Sequence, residues 1–223
     1  MRRSSKGREL SRRALGLGAI GAFGSLAFSR TALGADETKA PLVVPVHFGA
    51  AIEMAQELVM VQRAEAERLY PMLRFQWPTS NDKIDEKFRA LDTRSDRDDL
   101  RKLLVPKAVN VFFVESLRDV DDRALYRRGV HWRPAPNPSV RYIIVIRDAP
   151  ASVLAHELGH YFGLPHVTTK NNLMSYDRDG AEVFLTDGQR GTVTSTVRGL
   201  VARAELRPKP DLDEPPCRAF VRK

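Results

Sequence analysis

The sequence predicts an α/β (α+β) fold in which helices cover a mixed, twisted sheet. Two observations carry this prediction. Short runs rich in β-branched and aromatic residues alternate with longer segments of helical periodicity, and the patterned part of the chain finishes in a helix. Apolar residues make up 43% of the 223 residues, which is enough to bury a core. A mostly disordered chain is therefore excluded.

Five runs have the composition and length of strands. Four of them are Leu42–Phe48, Leu73–Trp77, Val109–Val114 and Arg141–Ile146. The fifth, Gly129–Arg133, is predicted to be a short edge strand, and a Pro-rich turn follows it. Together these runs would form the sheet.

Helical periodicity predicts one helix over Ile52–Leu69 and another over Ala149–Phe162. In the first, apolar residues recur at steps of three and four and would form its buried stripe. The predicted stripe is Ile52, Ala55, Leu58, Val59, Ala66 and Leu69.

The charged stretch 81–107 is predicted to be helical in parts, most clearly over Asp96–Leu104. Asp98 and Asp99 would lie near the start of that helix, where negative charge favours the helix dipole. The same acidic residues could be read as a calcium loop, but helix-terminal charge explains them. Calcium is therefore possible but unsupported.

A C-terminal helix is predicted after Thr186, because Thr186 and Gln189 have the spacing of a capping box. Its buried stripe would be Val193, Val197, Leu200 and Val201. Prolines then predict an extended tail over 207–223.

The net charge of +8 is concentrated at the N-terminus. Residues 1–35 hold seven Lys or Arg and one acidic residue, so the remainder carries a net charge of only +2. A nucleic-acid partner is therefore not expected. Arg12 and Arg13 precede an apolar, Gly-rich stretch and then small residues, which is the three-part pattern of an export signal.

This segment resembles a twin-arginine export signal, in which paired arginines stand directly before a weakly hydrophobic stretch. The stretch is shorter than the ~20 apolar residues that a membrane span needs. We therefore expect an export signal over 1–35, a catalytic domain over 36–206 and a tail over 207–223. The processed protein would be periplasmic or extracellular, without stable membrane insertion; its oligomeric state stays open.

Three of the five histidines fall within eleven residues, at positions 156, 160 and 166. On a helix, His156 and His160 lie on one face, one turn apart, and can bind the same ion. Glu157 is offset by about 100° and can reach a water beside the metal without ligating it. Gly163 allows a left-handed exit from the helix, which would bring His166 round as the third ligand.

Three neutral imidazoles leave one coordination position open on Zn²⁺, which is the catalytic arrangement. A water there would have its pKa lowered to about 7, and Glu157 could deprotonate it as it attacks a polarised carbonyl carbon. Glu157 would then pass the proton to the leaving amine. The residues thus predict a single catalytic zinc and hydrolysis of an amide.

The stretch His156–His166 resembles the zinc-binding consensus H-E-x-x-H-x-x-G-x-x-H of the metzincin metallopeptidases. The resemblance implies a methionine turn under the zinc, and Met174 stands eight residues after His166. It also implies that Tyr176, two positions later, hydrogen-bonds the developing oxyanion. The segment from Asn172 to Gln189 looks most like the pappalysin-type branch.

The resemblance implies that a protein or peptide substrate lies extended and antiparallel to an edge strand, for which Gly129–Arg133 is the candidate. His131 in that strand would be a strand residue or a substrate neighbour rather than a fourth ligand. The predicted function is an exported zinc endopeptidase. Two alternatives stay open: a non-catalytic zinc-dependent binding protein for peptides or envelope material, and a zinc hydrolase of a non-protein amide.

Overall fold

The computed structural model describes residues 41–208, apart from Pro136 and Pro138. The predicted export signal and almost all of the predicted tail lie outside the described residues. Eight strands are present in the described part. They are β1 (Leu42–Ala50), β2 (Leu73–Gln76), β3 (Asp82–Lys83), β4 (Ala90–Leu91), β5 (Val109–Val114), β6 (Ser116–Leu117), β7 (Gly129–Trp132) and β8 (Tyr142–Ile146).

Six of these strands form one mixed sheet with the main order β2-β1-β5-β8-β7, and β3 pairs with the end of β1. Neighbouring strands are parallel except at the edge, where β7 runs antiparallel to β8. Strands β4 and β6 form a separate parallel pair. The predicted mixed sheet and its edge strand are therefore confirmed.

Strand β5 lies in the middle of the sheet, and all six of its residues are buried. Its side chains alternate between two apolar clusters, because successive residues of a strand point to opposite faces. Val111 and Phe113 belong to one cluster, and Phe112 and Val114 to the other. The sheet is therefore covered on both faces, as expected for parallel strands.

Four α-helices are present in the described part: α1 (Gln56–Leu69), α2 (Arg94–Asp99), α3 (Ser152–Tyr161) and α4 (Asp187–Ala202). Buried residues of α1, α3 and α4 share one apolar cluster with the sheet. The opposite cluster includes Phe88, Leu91 and Leu100 from the charged segment. Helix α3 contacts both α1 and the edge strand β7, which sets the position of its histidines.

The start predicted for the first helix is wrong. Helix α1 begins at Gln56 rather than Ile52, and Ala55 has extended dihedral angles as its N-cap residue. Leu58 is 37% exposed, whereas Gln62 is buried beside Val59. The buried stripe therefore contains a polar residue that apolar periodicity could not identify.

The helix predicted over Asp96–Leu104 is displaced. Helix α2 begins earlier, because Thr93 caps it and forms a reciprocal capping box with Asp96. It ends at Asp99, and a 3₁₀ turn continues over Leu100–Leu103. Asp98 and Asp99 therefore lie at the C-terminal end of α2, so the helix-dipole explanation of their charge is wrong.

The predicted capping box of the last helix is confirmed. The Thr186 side chain accepts a hydrogen bond from the Gln189 backbone, and the Gln189 side chain accepts one from the Thr186 backbone. Val193, Val197 and Leu200 are buried as predicted, but Val201 is 39% exposed. Within residues 41–208, no helix combines the length and apolarity that a membrane crossing requires.

Candidate metal centre

The Nε2 atoms of three histidines converge on one point. They lie 3.1 Å apart for His156 and His160, 3.2 Å for His156 and His166, and 3.0 Å for His160 and His166. Helix α3 carries the first two. The third follows Gly163, whose φ of +91° makes the left-handed exit that the sequence predicts.

Two backbone carbonyls fix the orientation of the helical histidines. His156 Nδ1 lies 2.7 Å from the Leu173 carbonyl oxygen, and His160 Nδ1 lies 2.9 Å from that of Leu164. A carbonyl can only accept, so each Nδ1 donates and each neutral ring presents its Nε2 lone pair to the centre. Such contacts commonly orient metal-binding histidines.

The environment favours the neutral form of all three rings. Burial lowers the pKa of His156 to about 4, although the hydrogen bond to Leu173 opposes the change. Burial also lowers the pKa values of His160 and His166. At neutral pH the rings are therefore uncharged, as metal coordination requires.

This arrangement fits a zinc ion. Three converging lone pairs repel one another unless a cation lies between them, and the spacing of 3.0–3.2 Å is close to that of ligand nitrogens about 2.0–2.1 Å from one tetrahedral Zn²⁺. Among the described residues, these histidines are the one group of three or more potential ligands that is close enough to hold an ion. His131 is not part of it.

Glu157 lies beside the histidines on α3 and is 7% exposed. Burial raises the pKa of its carboxyl to about 7, and a backbone hydrogen bond from His131 in β7 partly opposes this rise. Gly129, at the start of β7, is close as well: a Cβ there would lie 3.0 Å from Glu157 Cγ and 2.6 Å from Val153 Cγ1. The edge strand thus passes directly over the predicted base.

Met174 is fully buried against α3. A Cβ on Gly159, between the two helical histidines, would meet its sulfur at 2.5 Å. The Met174 carbonyl also accepts a hydrogen bond from the Val167 backbone at 3.1 Å, which ties the methionine turn to the segment carrying His166. Met174 therefore lies buried against α3, and its role as an apolar floor under the ion stays a prediction.

The methionine turn is joined to helix α4 by two side-chain amides. Asn172 Nδ2 donates to Gln189 Oε1 at 2.8 Å, and Gln189 Nε2 donates to Asn172 Oδ1 at 3.0 Å. Asn172 Oδ1 also accepts from the Met174 backbone at 3.0 Å. Gln189 therefore caps α4 and holds the turn at the same time, which the capping-box spacing alone did not predict.

Tyr176 stands at the opening of the site and is 75% exposed. Its ring centroid is 4.5 Å from that of His166 and 6.1 Å from that of His156. The ring is therefore next to the ligands and mostly in solvent. Its part in catalysis stays a prediction.

His131 lies in β7 with its ring facing Tyr161 at a centroid distance of 5.7 Å. Burial, followed by the charge of Arg133, lowers the pKa of His131 to about 3. Its backbone N–H, rather than its ring, is the group that reaches Glu157.

The acidic residues considered for calcium have other partners. Asp98 Oδ1 accepts a hydrogen bond from Trp132 Nε1 at 2.7 Å, and Asp99 pairs with Lys102 at 2.6 Å. These contacts account for both carboxylates without an ion.

Two cavities flank the metal centre. One, of about 480 Å³, is lined by His156, Glu157 and Tyr176 together with Arg127, Arg128 and Arg178. The other, of about 430 Å³, extends along β7 toward Trp132. Sequence reasoning did not find the arginines. The one available signal was that Arg178 follows the methionine turn, whereas Arg127 and Arg128 are brought close only by folding.

No protein-family profile matches the sequence, and no curated protein matches it. Solved structures do resemble the fold. Metalloproteinase-II from Bacteroides fragilis matches with a TM-score of 0.49 and 11% identity over 70% of this chain and 53% of that chain, so the chain spans about half of that protein. An archaemetzincin from Methanopyrus kandleri matches with a TM-score of 0.49 and 14% identity, over 72% of this chain and 98% of that one. At TM-scores below 0.5, neither likeness bears on the site.

Proposed function

We propose that this chain is a zinc endopeptidase of the metzincin type that hydrolyses peptide bonds. The convergence of three neutral histidines, two of them anchored to backbone carbonyls, beside a buried glutamate carries the proposal. The edge strand β7 above them supports it, since an exposed strand edge can hold an extended peptide.

His156, His160 and His166 would hold the ion. Zinc, when bound, supplies a Lewis acid that polarises a carbonyl and lowers the pKa of water. Glu157 takes the proton from the attacking water as the new C–O bond forms, and it then delivers that proton to the departing amine as the C–N bond breaks. Its burial suits this role, because burial raises the pKa of the carboxyl to about 7, and a general base works best with a pKa near the operating pH.

Tyr176 would donate its phenolic hydrogen to the oxyanion that develops on the substrate carbonyl. The position of its ring between His166 and solvent supports this proposal. A donor that acts only once charge develops stabilises the transition state more than the bound substrate.

The test compares the wild-type protein with Glu157→Gln on a diverse peptide library, with and without a chelator. Loss of general-base catalysis is expected to reduce turnover by about 10²–10⁴-fold while zinc binding is retained. Arg198→Gln, which changes an exposed residue of α4, serves as the matched control. Equal cleavage by the wild type and Glu157→Gln would overturn the mechanism.

The same experiment decides between the proposed function and its alternatives. Peptide binding without cleavage by either protein would indicate a zinc-dependent binding protein. Hydrolysis of non-protein amides with no activity on any peptide would indicate the other hydrolase. The buried base favours catalysis, because a protein that only binds has no use for a carboxylate whose burial costs free energy.

We also propose the pappalysin-type branch, because the turn around Asn172 and the cap at Gln189 have the pattern of that branch. Their mutual amide pair supports treating the two as one unit. The double variant Asn172→Gln/Gln189→Asn keeps both amides and exchanges their lengths. We expect each single change to weaken zinc binding and the double variant to recover part of the loss. Unchanged zinc affinity in all three variants would contradict the assignment.

Export by the twin-arginine route is a separate proposal, and it depends on Arg12 and Arg13 in the N-terminal sequence. Replacing both with Lys keeps the charge but removes the paired guanidinium groups. We expect the folded protein to stay in the cytoplasm after this change. Unchanged export, measured by cell fractionation, would refute the proposal.

A further inference from the structure

We propose that the 480 Å³ cavity beside the metal centre binds a carboxylate, so that the protein prefers substrates with an acidic residue on the C-terminal side of the cleaved bond. Arg178 and Arg128 are the recognising groups. This inference rests on the proposed peptidase function and adds a substrate class to it.

The two cavities differ in charge. The cavity along β7 has three arginines in its wall, but Asp119, Asp121 and Glu157 are there too. Two of its arginines are used in ion pairs, Arg94 with Asp121 and Arg127 with Asp119. The 480 Å³ cavity has three arginines and only Glu157 as an acid. Excess positive charge is thus confined to one side of the metal centre.

Arg178 is held in place without its charge being neutralised. Its Nε donates to the Ser175 carbonyl at 3.2 Å, Nη1 to Ser152 Oγ at 2.8 Å and Nη2 to the Leu173 carbonyl at 2.8 Å. All three acceptors are neutral, and within the described residues Arg178 has no carboxylate within ion-pair distance. The guanidinium keeps two further N–H groups for a ligand.

Fixing the guanidinium in advance matters for binding. A free arginine loses side-chain entropy when it contacts a ligand, but these hydrogen bonds have already ordered Arg178. Its side chain is nevertheless exposed to the cavity. A charge-assisted pair with a carboxylate is therefore favoured at this position.

Arg128 provides a second, independent positive charge. It precedes the edge strand, is exposed, and makes no ion pair within residues 41–208. Its backbone carbonyl accepts from Ile146 at 3.0 Å, so the strand end that carries it is tied to the sheet. Unlike Arg178, its side chain makes no hydrogen bond to the methionine turn within residues 41–208, so it is the better position for a test variant.

The polarity of β7 assigns the cavity to one side of the substrate. The strand starts at Gly129, which borders both cavities, and continues through Val130, His131 and Trp132, which border only the second. The 480 Å³ cavity therefore lies at the start of β7. A peptide paired antiparallel to β7 runs from Trp132 toward Gly129. Antiparallel pairing is the more common and slightly more stable arrangement. Residues after the cleaved bond therefore enter the arginine-lined cavity.

The first experiment measures kcat/KM for matched peptides that carry Glu or Gln immediately after the cleaved bond. A hydrogen-bonded charge pair predicts a preference for Glu of about tenfold or more. Arg128→Glu should reduce or reverse this preference, and Arg178→Gln should abolish it. Arg198→Gln, at an exposed residue of α4 that lines neither cavity, should leave it unchanged. A preference equal in the wild type and Arg128→Glu would overturn the proposal.

A binding measurement separates this inference from the proposed function. The affinity of Glu157→Gln for the same Glu and Gln peptides can be measured by calorimetry without any turnover. Tighter binding of the Glu peptide, lost in Glu157→Gln/Arg128→Glu, supports the carboxylate site even if no peptide is cleaved. If the peptides are cleaved but neither assay distinguishes the Glu peptide from the Gln peptide, the proposed peptidase function stands and the carboxylate site is refuted.

The carboxylate could belong to an acidic side chain or to the C-terminus of a peptide. Two peptides distinguish these sources. In both, the residue after the cleaved bond is the last one, and its C-terminus is a free carboxylate in one peptide and an amide in the other. A preference for the free acid alone would assign the site to a chain terminus. A preference for internal Glu with no effect of the terminus would assign it to a side chain.

Discussion

Gly159 and Met174 are in close contact beneath the candidate metal centre. A Cβ on Gly159 would lie 2.5 Å from Met174 Sδ, and 3.1 Å from the hydroxyl of Tyr70. That hydroxyl donates to the Ala155 carbonyl at 2.7 Å, so neither neighbour can easily withdraw. The glycine between the two helical histidines is therefore required by packing from below.

Gly159→Ala is expected to destabilise the protein by about 1–3 kcal/mol, because the methyl group must displace a fully buried sulfur or a bonded hydroxyl. Urea unfolding measures this loss. Gly191→Ala on α4 is the control: an added Cβ there meets nothing within 4 Å, so it should stabilise the helix by up to about 1 kcal/mol. Equal changes in the free energy of unfolding for Gly159→Ala and Gly191→Ala would contradict the inference that packing requires a glycine at position 159.

Zinc is expected to raise the thermal stability, because the folded site binds it and the unfolded chain does not hold the three histidines together. At free zinc 100 times the Kd, the expected gain is about 2.7 kcal/mol. Calorimetric unfolding with zinc and with a chelator measures it. His160→Ala should lose the gain, whereas His47→Asn, at the histidine that pairs with Asp82, should retain it.

Tyr176→Phe is expected to lower kcat by about 10²–10³-fold if the phenol stabilises an oxyanion. Stability should change little, since the side chain is 75% exposed. Steady-state kinetics and thermal unfolding of the same preparation separate these effects. Full turnover in the variant would remove Tyr176 from the mechanism.

Asn172→Ala is expected to cost about 1–3 kcal/mol, since it leaves the buried Met174 N–H and the Gln189 amide without their partner. Adding Gln189→Ala should cost only the lost cap of α4, because Asn172→Ala has already broken the amide pair. A double-mutant cycle measures this coupling. Thr192→Ala, one turn along α4, is the control and should be nearly neutral. Strictly additive losses would show that the amides act separately.

Asp119 predicts loss of stability in acid. Backbone hydrogen bonds from Asp121 and Asp122, and the charge of Arg127, lower the pKa of its carboxyl to about 2. A carboxyl whose pKa is lower in the folded than in the unfolded chain stabilises the protein. This contribution is fully present at pH values above the unfolded pKa of about 3.9, and it is lost as the pH falls toward 2. Asp119→Asn should flatten the decline of unfolding free energy over this window. Asp148→Asn, whose side chain is 80% exposed, should not.

Much of the fold follows from local patterns. β5 could be predicted because its sequence is a strand-length run rich in β-branched and aromatic residues, and α4 because its cap is encoded within four residues. The starts of α1 and α2 were not predicted. Helix α1 begins after Ala55, whose side chain makes no cap hydrogen bond, so no cap residue marks its start. Helix α2 is opened by Thr93 and Asp96, which have the same capping-box spacing as Thr186 and Gln189.

The sequence alone identified the candidate metal ligands, because a helix places residues four apart on one face and Gly163 permits the turn to His166. Short spacings also singled out Glu157 and Met174, whose roles stay predictions. Only the tertiary structure decided what surrounds them. The amide pair of Asn172 with Gln189, the His131 backbone over Glu157, and the placement of Arg128 and Arg178 around one cavity bring together segments separated in the chain, and no local spacing encodes them.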